Sequence, residues 1–262
     1  MSLTGKTKAG SYKDLLQMNN SNSGVDTTTR NVVDGEGTAS ALSLSDDQIT
    51  VIPQDDDTTD VFSVSDKDSN RLFKVDSSND LVKAGIGQHI VNTQVKGFNL
   101  ASANSQPTTT DTWGLMSAQG ESTFGSEVTF GTGSTPATSY TISNNAHDVV
   151  MGMWYVPFNI TIDSCNVWFG ADAATGDAVK FSVMSYTVDS ANGATSGDLS
   201  SGAEVCVSPS AVTGAGYEQA YYQALTVSSA NVDAGKAIMA FAHQNGTNSD
   251  LTVNMQLVYH LR

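Results

Sequence analysis

Charge, cysteine, proline and helix-forming side chains are all scarce in this chain. Only 15% of its 262 residues are Asp, Glu, Lys or Arg, while Ser and Thr together fill 60 positions. A coiled coil or helical bundle is excluded, because helices draw on the Glu, Lys and Arg that are in short supply. Basic residues number 12 against 27 acidic ones, giving a formal charge of −15 and an isoelectric point near 4.3. Such a field repels phosphate backbones and anionic lipid headgroups, so no nucleic-acid partner is expected. The two cysteines, Cys165 and Cys206, fall in separate expected strands and outside any C-x-x-C, and they read as buried small hydrophobes rather than a disulfide, zinc or redox site. Long apolar runs are missing as well. The longest, Val149 to Phe158, contains a Gly and a Pro and is about half of the ~20 residues a membrane span needs. The opening Met1-Ser2-Leu3-Thr4-Gly5-Lys6 has no apolar core of a signal peptide. The expectation is a soluble protein without membrane insertion.

What apolar content there is lies unevenly: about half of residues 138–262 but only about a third of residues 1–137. Ordering a residue costs ~1 to 2 kcal/mol, which so lean a segment cannot offset alone. It must be disordered, lie on a partner, or share a core with other copies of itself. Charge divides similarly, since 9 of the 12 basic side chains fall in residues 1–100, while residues 101–262 carry 13 acids and 3 bases.

Four regions follow: a leader over 1–35, a β-strand stem over 36–100, an irregular connector over 101–137 and a head over 138–262. In the leader, Tyr12, Leu15, Leu16 and Met18 form a small apolar hook before Asn19-Asn20-Ser21-Asn22-Ser23-Gly24, the pattern of a docking segment or of a frayed terminus. In the stem, short alternating runs such as Val61-Phe62-Ser63-Val64-Ser65 and Arg71-Leu72-Phe73-Lys74-Val75 are separated by Asp-, Asn- and Ser-rich turns. A sheet this narrow is marginal alone, and three chains around one axis would let their apolar stripes meet. The connector carries the anchors Trp113, Leu115 and Met116. Eight strands are expected in the head, near 138–143, 148–156, 159–170, 178–188, 203–212, 219–227, 236–243 and 251–260, with no convincing helix. The class is therefore all-β: a short trimeric β-stem with a C-terminal jelly-roll-like β-sandwich head.

No chemistry stands out. The four histidines, His89, His147, His243 and His260, are scattered, and His260 reads as a surface or interface residue. Gly120-Glu121-Ser122-Thr123-Phe124-Gly125 is not a nucleophile elbow, its second Gly being one position late. Asp66-Lys67-Asp68-Ser69-Asn70 opens like a calcium loop but has Arg71 where Gly is needed, so it reads as a β turn. Asp55, Asp56, Asp57 and Asp60 are a candidate cation cluster at a trimer axis. Trp154, Tyr155, Trp168, Phe169, Phe181, Tyr221 and Tyr222 lie inside expected strands, with core or subunit packing as their default role. The reading is of a non-enzyme with no catalytic residue, metal or cofactor.

Three stretches resemble virion appendage proteins, head-fibre, capsid-decoration or tail-fibre, of marine tailed bacteriophages. Residues 5–25 are similar to their leader. Val33-Asp34-Gly35-Glu36-Gly37-Thr38-Ala39-Ser40-Ala41-Leu42-Ser43-Leu44-Ser45, with 61–64 and 75–83, resembles their repeated β segments. Gly197-Asp198-Leu199-Ser200-Ser201-Gly202, Val232-Asp233-Ala234-Gly235-Lys236 and Val258-Tyr259-His260-Leu261-Arg262 resemble their terminal knob. The resemblance implies a homotrimer at the virion surface, made in the host cytoplasm. Its N-terminus would dock on a capsid protein or tail adaptor, and its knob would face outward. So short a stem favours the capsid. The alternative is a tail-fibre tip that recognises a host surface glycan through loops 190–202 and 213–218, with Asn192 and Tyr217 as contacts.

Overall fold

The computed structural model describes residues 15–21, 23–100, 111–119, 128–142, 146–171, 178–213, 219–244 and 251–262. Strands make up 53% and helix 3%, so the chain is all-β, as its composition leads one to expect. It divides into two compact units, Met1–Asn92 and Thr93–Arg262.

The first unit holds two four-stranded antiparallel sheets, each a simple meander. One consists of β1 (Gln17–Met18), β2 (Arg30–Val33), β3 (Ala39–Leu44) and β4 (Ile49–Val51). The other consists of β5 (Phe62–Ser65), β6 (Arg71–Asp76), β7 (Leu81–Ala84) and β8 (His89–Ile90). Alternation decides which side chains share a face. Phe62 lies opposite Val75 and Val75 opposite Val82; Val64 lies opposite Phe73 and Phe73 opposite Ala84. These six make one apolar face, while Ser63, Leu72, Lys74, Asp76, Leu81 and Lys83 line the other. In the first sheet Leu42, Leu44, Ile49 and Val51 share a face in the same way. Both faces are only partly covered: Phe62, Val64, Leu42 and Ile49 are exposed, Phe73, Val75, Val82, Ala84, Leu44 and Val51 are half-buried, and Val32 and Val33 are the first unit's only buried apolar side chains among the described residues.

Aspartates tie the turns. Asp34 Oδ1 accepts the backbone N–H groups of Glu36 and Thr38, both at 2.9 Å, and Asp66 Oδ1 does the same for Asp68 and Asn70, again at 2.9 Å. The segment resembling a calcium loop is thus a turn closed by its own carboxylate. These bonds favour the ionised form. The Thr38 N–H holds the Asp34 carboxyl below the usual range, the Asn70 side chain does so for Asp66, and the Arg30 guanidinium for Asp26. At Asp76 burial pushes upward, but Asn79 and Lys83 outweigh it and the carboxyl is again held low.

Four of the lowered carboxyls belong to the first unit and one, Asp189, held low by the Thr195 hydroxyl, to the larger second unit, so acid is expected to loosen the first unit before the second. Each lowered carboxyl contributes its stabilisation in full above its unfolded value near 3.9, and that contribution is lost as pH falls through the lower folded value. Trp113, Trp154 and Trp168, the chain's three tryptophans, all belong to the second unit. In an acid titration, strand circular dichroism should fall before tryptophan emission changes; emission changing first contradicts the assignment.

The second unit is one eleven-stranded sheet. Its strands are β9 (Thr93–Leu100), β10 (Thr112–Leu115), β11 (Trp154–Tyr155), β12 (Ile160–Ala171), β13 (Ala178–Val188), β14 (Leu199–Val207), β15 (Val212–Thr213), β16 (Gln219–Val227), β17 (Asn231–Val232), β18 (Lys236–Gln244) and β19 (Leu251–Leu261). The main path runs β10-β18-β13-β14-β16-β12-β19-β9, with β11 on β18, β15 on β13 and β17 on β12. The sheet curls over itself so that Phe169 of β12 meets Phe181 of β13, three strands along the path, with ring centroids 5.0 Å apart. Val167, Val253, Met255 and Leu257 fill the same core as Val183, Ile238 and Ala240. The curl brings the ends together, since Asn99 of β9 and Ser117, just beyond β10, exchange two N–H···O bonds of 2.9 Å.

A second core lies on the other face of β13 and β18. There Met184, Tyr186, Met239 and Phe241 pack against Trp113, Leu115, Val128, Phe130 and Val149. Buried on both sides, β18 has lost the polar half of its pattern, and the run Ala237–His243 is continuously buried.

Several sequence expectations change, among them the strand expected over 203–212, where β14 ends at Val207 and β15 begins at Val212. Residues 148–156 do not form one strand: Ala146–Gly152 is a helix, α1, followed by the two-residue β11. Val149 and Gly152, three apart, are its buried residues, and three residues is the spacing of one helical face. Thr93–Leu100, read with the stem, instead pairs with β19 from His260 to Val253 and seats Phe98 and Leu100 in the second unit's core. Thr112–Leu115, read within an irregular connector, is a fully buried strand on β18. Around 138–143, Tyr140 makes a single bridge to Leu199.

Candidate functional site

The expected site residues scatter. Tyr12 and Tyr217 lie outside the described residues. Leu15 and Leu16 are exposed, and Met18 is half-buried in β1, where it pairs with Val32. Asn192 is exposed in a turn that Asp189 ties together: its carboxylate accepts the Ala191 N–H at 3.0 Å and the Thr195 hydroxyl at 2.6 Å. Asp55, Asp56 and Asp57 are exposed, and Asp60 is ion-paired with Arg71. Among the described residues no cluster of three or more His, Cys, Asp or Glu side chains is arranged to hold a metal, and no helix is long and apolar enough to cross a membrane.

Both cysteines are free and buried. A hydrogen bond with Cys206, together with burial, pushes the Cys165 thiol up, so it stays neutral. His260, read as a surface or interface residue, is buried. A bulge in β12 between Ile162 and Ser164 lets Asp163 reach it, with carboxylate oxygens 2.9 and 3.1 Å from Nδ1.

Two small cavities open on the second unit. One, of about 160 Å³, lies among Gln94, Trp154, Pro157, Phe158 and Tyr259. The Tyr259 hydroxyl donates to Gln94 Oε1 at 2.8 Å, and the Trp154 ring sits 4.9 Å from that of Tyr259. The other, of about 250 Å³, is lined by Asp111, Ala178, Lys180 and His243. Burial, with Lys180 nearby, lowers the His243 pKa against the pull of Asp111 and favours the neutral imidazole.

The feature that sequence reading missed is on the outer face of the curled sheet. The inward residues of β12, Cys165, Val167 and Phe169, force Asn166, Trp168 and Gly170 outward. Register then builds rows across four strands. Tyr222, Trp168, Asn254 and Asn99 form one; Ala224, Asn166, Gln256 and Gly97 form the next; Ala220, Gly170 and Thr252 form a third. Trp168 and Tyr222 are each 54% exposed, with ring centroids 5.1 Å apart and planes tilted by 50°. The Tyr222 hydroxyl donates to Asn166 Oδ1 at 2.8 Å, which fixes both side chains. Their expected role in packing does not hold within the chain. The signal that would have found them is the phase of the alternation, hidden because Val167-Trp168-Phe169 reads as an unbroken apolar run.

No protein-family model matches this chain, and no curated protein matches it.

Proposed function

We propose that the protein is a structural, non-enzymatic component of a phage particle: a homotrimeric fibre or decoration protein held on the capsid surface by its N-terminal region, its jelly-roll-like head facing outward. One observation supports the reading, namely the incompletely covered apolar face of each sheet in the first unit. On the face of Phe62, Val64, Phe73, Val75, Val82 and Ala84 the first two stay exposed and the other four only half-buried in the single chain, and a β sheet with one greasy side is stable only when a second layer packs on it. Identical copies around a threefold axis supply that layer and also limit open sheet edges. The second unit, by contrast, has two filled cores of its own and suits an independent head.

Docking falls to the leader, with Tyr12, Leu15, Leu16 and Met18 as the contacts; Leu15 and Leu16 stand exposed for it. Deleting residues 1–24 is expected to abolish incorporation into particles while leaving a soluble trimer, read by quantifying the protein in purified virions and by its mass in solution. Normal incorporation of the shortened chain would refute the docking role.

A further inference from the structure

We infer that the outer face of β12, β16 and β19 binds a neutral carbohydrate, with Trp168 and Tyr222 as the stacking platform and Asn166, Asn254 and Gln256 as hydroxyl partners. Two half-exposed rings side by side are costly to leave in water and offer flat apolar area suited to the C–H faces of a pyranose. Around them the three rows contain amides, Thr252, alanines and glycines but no Asp, Glu, Lys, Arg or His. On a chain of formal charge −15 that gap is itself informative. A charged ligand would find no counter-charge in these rows, whereas a neutral one escapes the repulsion that the rest of the surface imposes on anions.

The amides argue for a sugar over a second copy of this chain. Each carboxamide offers donors and an acceptor, and sealing Asn166, Asn254, Asn99 and Gln256 under protein leaves those groups unsatisfied unless each finds a partner. Sugar hydroxyls both donate and accept and can serve all of them. The Tyr222–Asn166 bond leaves the Asn166 Nδ2 protons and the lone pairs of the Tyr222 oxygen to face a ligand. This surface is not the pair of loops over 190–202 and 213–218 to which the sequence pointed, and it does not depend on the first unit forming a trimer.

The test uses the full-length protein and immobilised oligosaccharides of glucose, galactose, mannose and N-acetylglucosamine, with sialylated and sulphated glycans as charged comparators. At least one neutral glycan should bind and should shield Trp168 emission from acrylamide quenching. Trp168→Ala and Tyr222→Ala should each weaken binding roughly tenfold or more. Tyr222→Phe, which keeps the ring and loses the bond to Asn166, should fall between. Because both side chains point outward, the variants should keep the parent's melting temperature and oligomeric mass. Binding of charged glycans alone, no binding of any neutral glycan, or unchanged affinity in Trp168→Ala overturns the inference. So does a change in oligomeric mass in either alanine variant, which would assign the face to contact between copies.

Discussion

On the homotrimer proposed above, Val64→Asp together with Val82→Asp is expected to leave a chain that sediments as a monomer. Both valines belong to the apolar face of the second sheet of the first unit, and Val64 is 44% exposed in the single chain. Within one chain the Val64 substitution therefore costs little, because its carboxylate stays in water, and at half-buried Val82 the cost is moderate. In a trimer both carboxylates would lie at a shared core, where each buried valine contributes about 1.5–3 kcal/mol and each unpaired carboxylate carries a far larger desolvation penalty. Threefold symmetry multiplies that penalty and sets like charges near one another. Ser63→Asp, on the opposite face, is the control and should remain trimeric. A trimer that survives both valine substitutions would show that this face is not where the copies meet.

The second large effect is expected inside the second unit. Phe241→Ala should lower the unfolding free energy of the second unit by about 3–5 kcal/mol. Phe241 is fully buried, 4.7 Å from the Phe130 ring and 6.4 Å from that of Tyr186. It is the floor on which the segment from Val128 to Ile142 rests. That segment is also held by hydrogen bonds, those nearest the ring being Phe130 N–H to the Trp113 carbonyl at 2.8 Å, Trp113 Nε1–H to the Gly133 carbonyl at 2.9 Å and the Tyr186 hydroxyl to the Ala137 carbonyl at 2.8 Å, with Tyr140 and Leu199 bonded further along. Truncating the ring opens a cavity against the rings of Phe130 and Tyr186. Urea unfolding followed by tryptophan emission measures the loss directly. A loss below about 1 kcal/mol, the size of an ordinary point substitution, would mean that the segment does not depend on this floor.

Much of the strand pattern was legible before any coordinates. Residues 178–188 and 219–227 form strands with the expected limits, and Leu251, Val253, Met255 and Leu257 face inward as their alternation requires. The shortage of apolar side chains in the first part of the chain also matches what is seen, because that shortage is a property of composition and needs no geometry. Alternation failed where it was absent. Val149-Val150-Met151 is a short apolar run that strand and helix share equally, and only the tertiary position of Val149 against Leu115 and Phe130 selects the helix. β18 gave no phase because both its faces are covered. The aromatic face was hidden for a related reason: a strand whose outward residue is tryptophan looks fully buried to a reader who counts apolar letters. His260 and Asp163 are ninety-seven residues apart and meet through a one-residue bulge, which no spacing rule anticipates.

The joining of Asn99 to Ser117 has a bearing on life in a crowd. A sheet whose first and last strands are tied offers little ragged backbone for a foreign strand to zip onto, and Lys96, reaching the Ala118 carbonyl at 2.6 Å, helps lace that seam. Where the two ends of the sheet meet, each therefore shields the other's backbone, and that stretch is closed to strand addition.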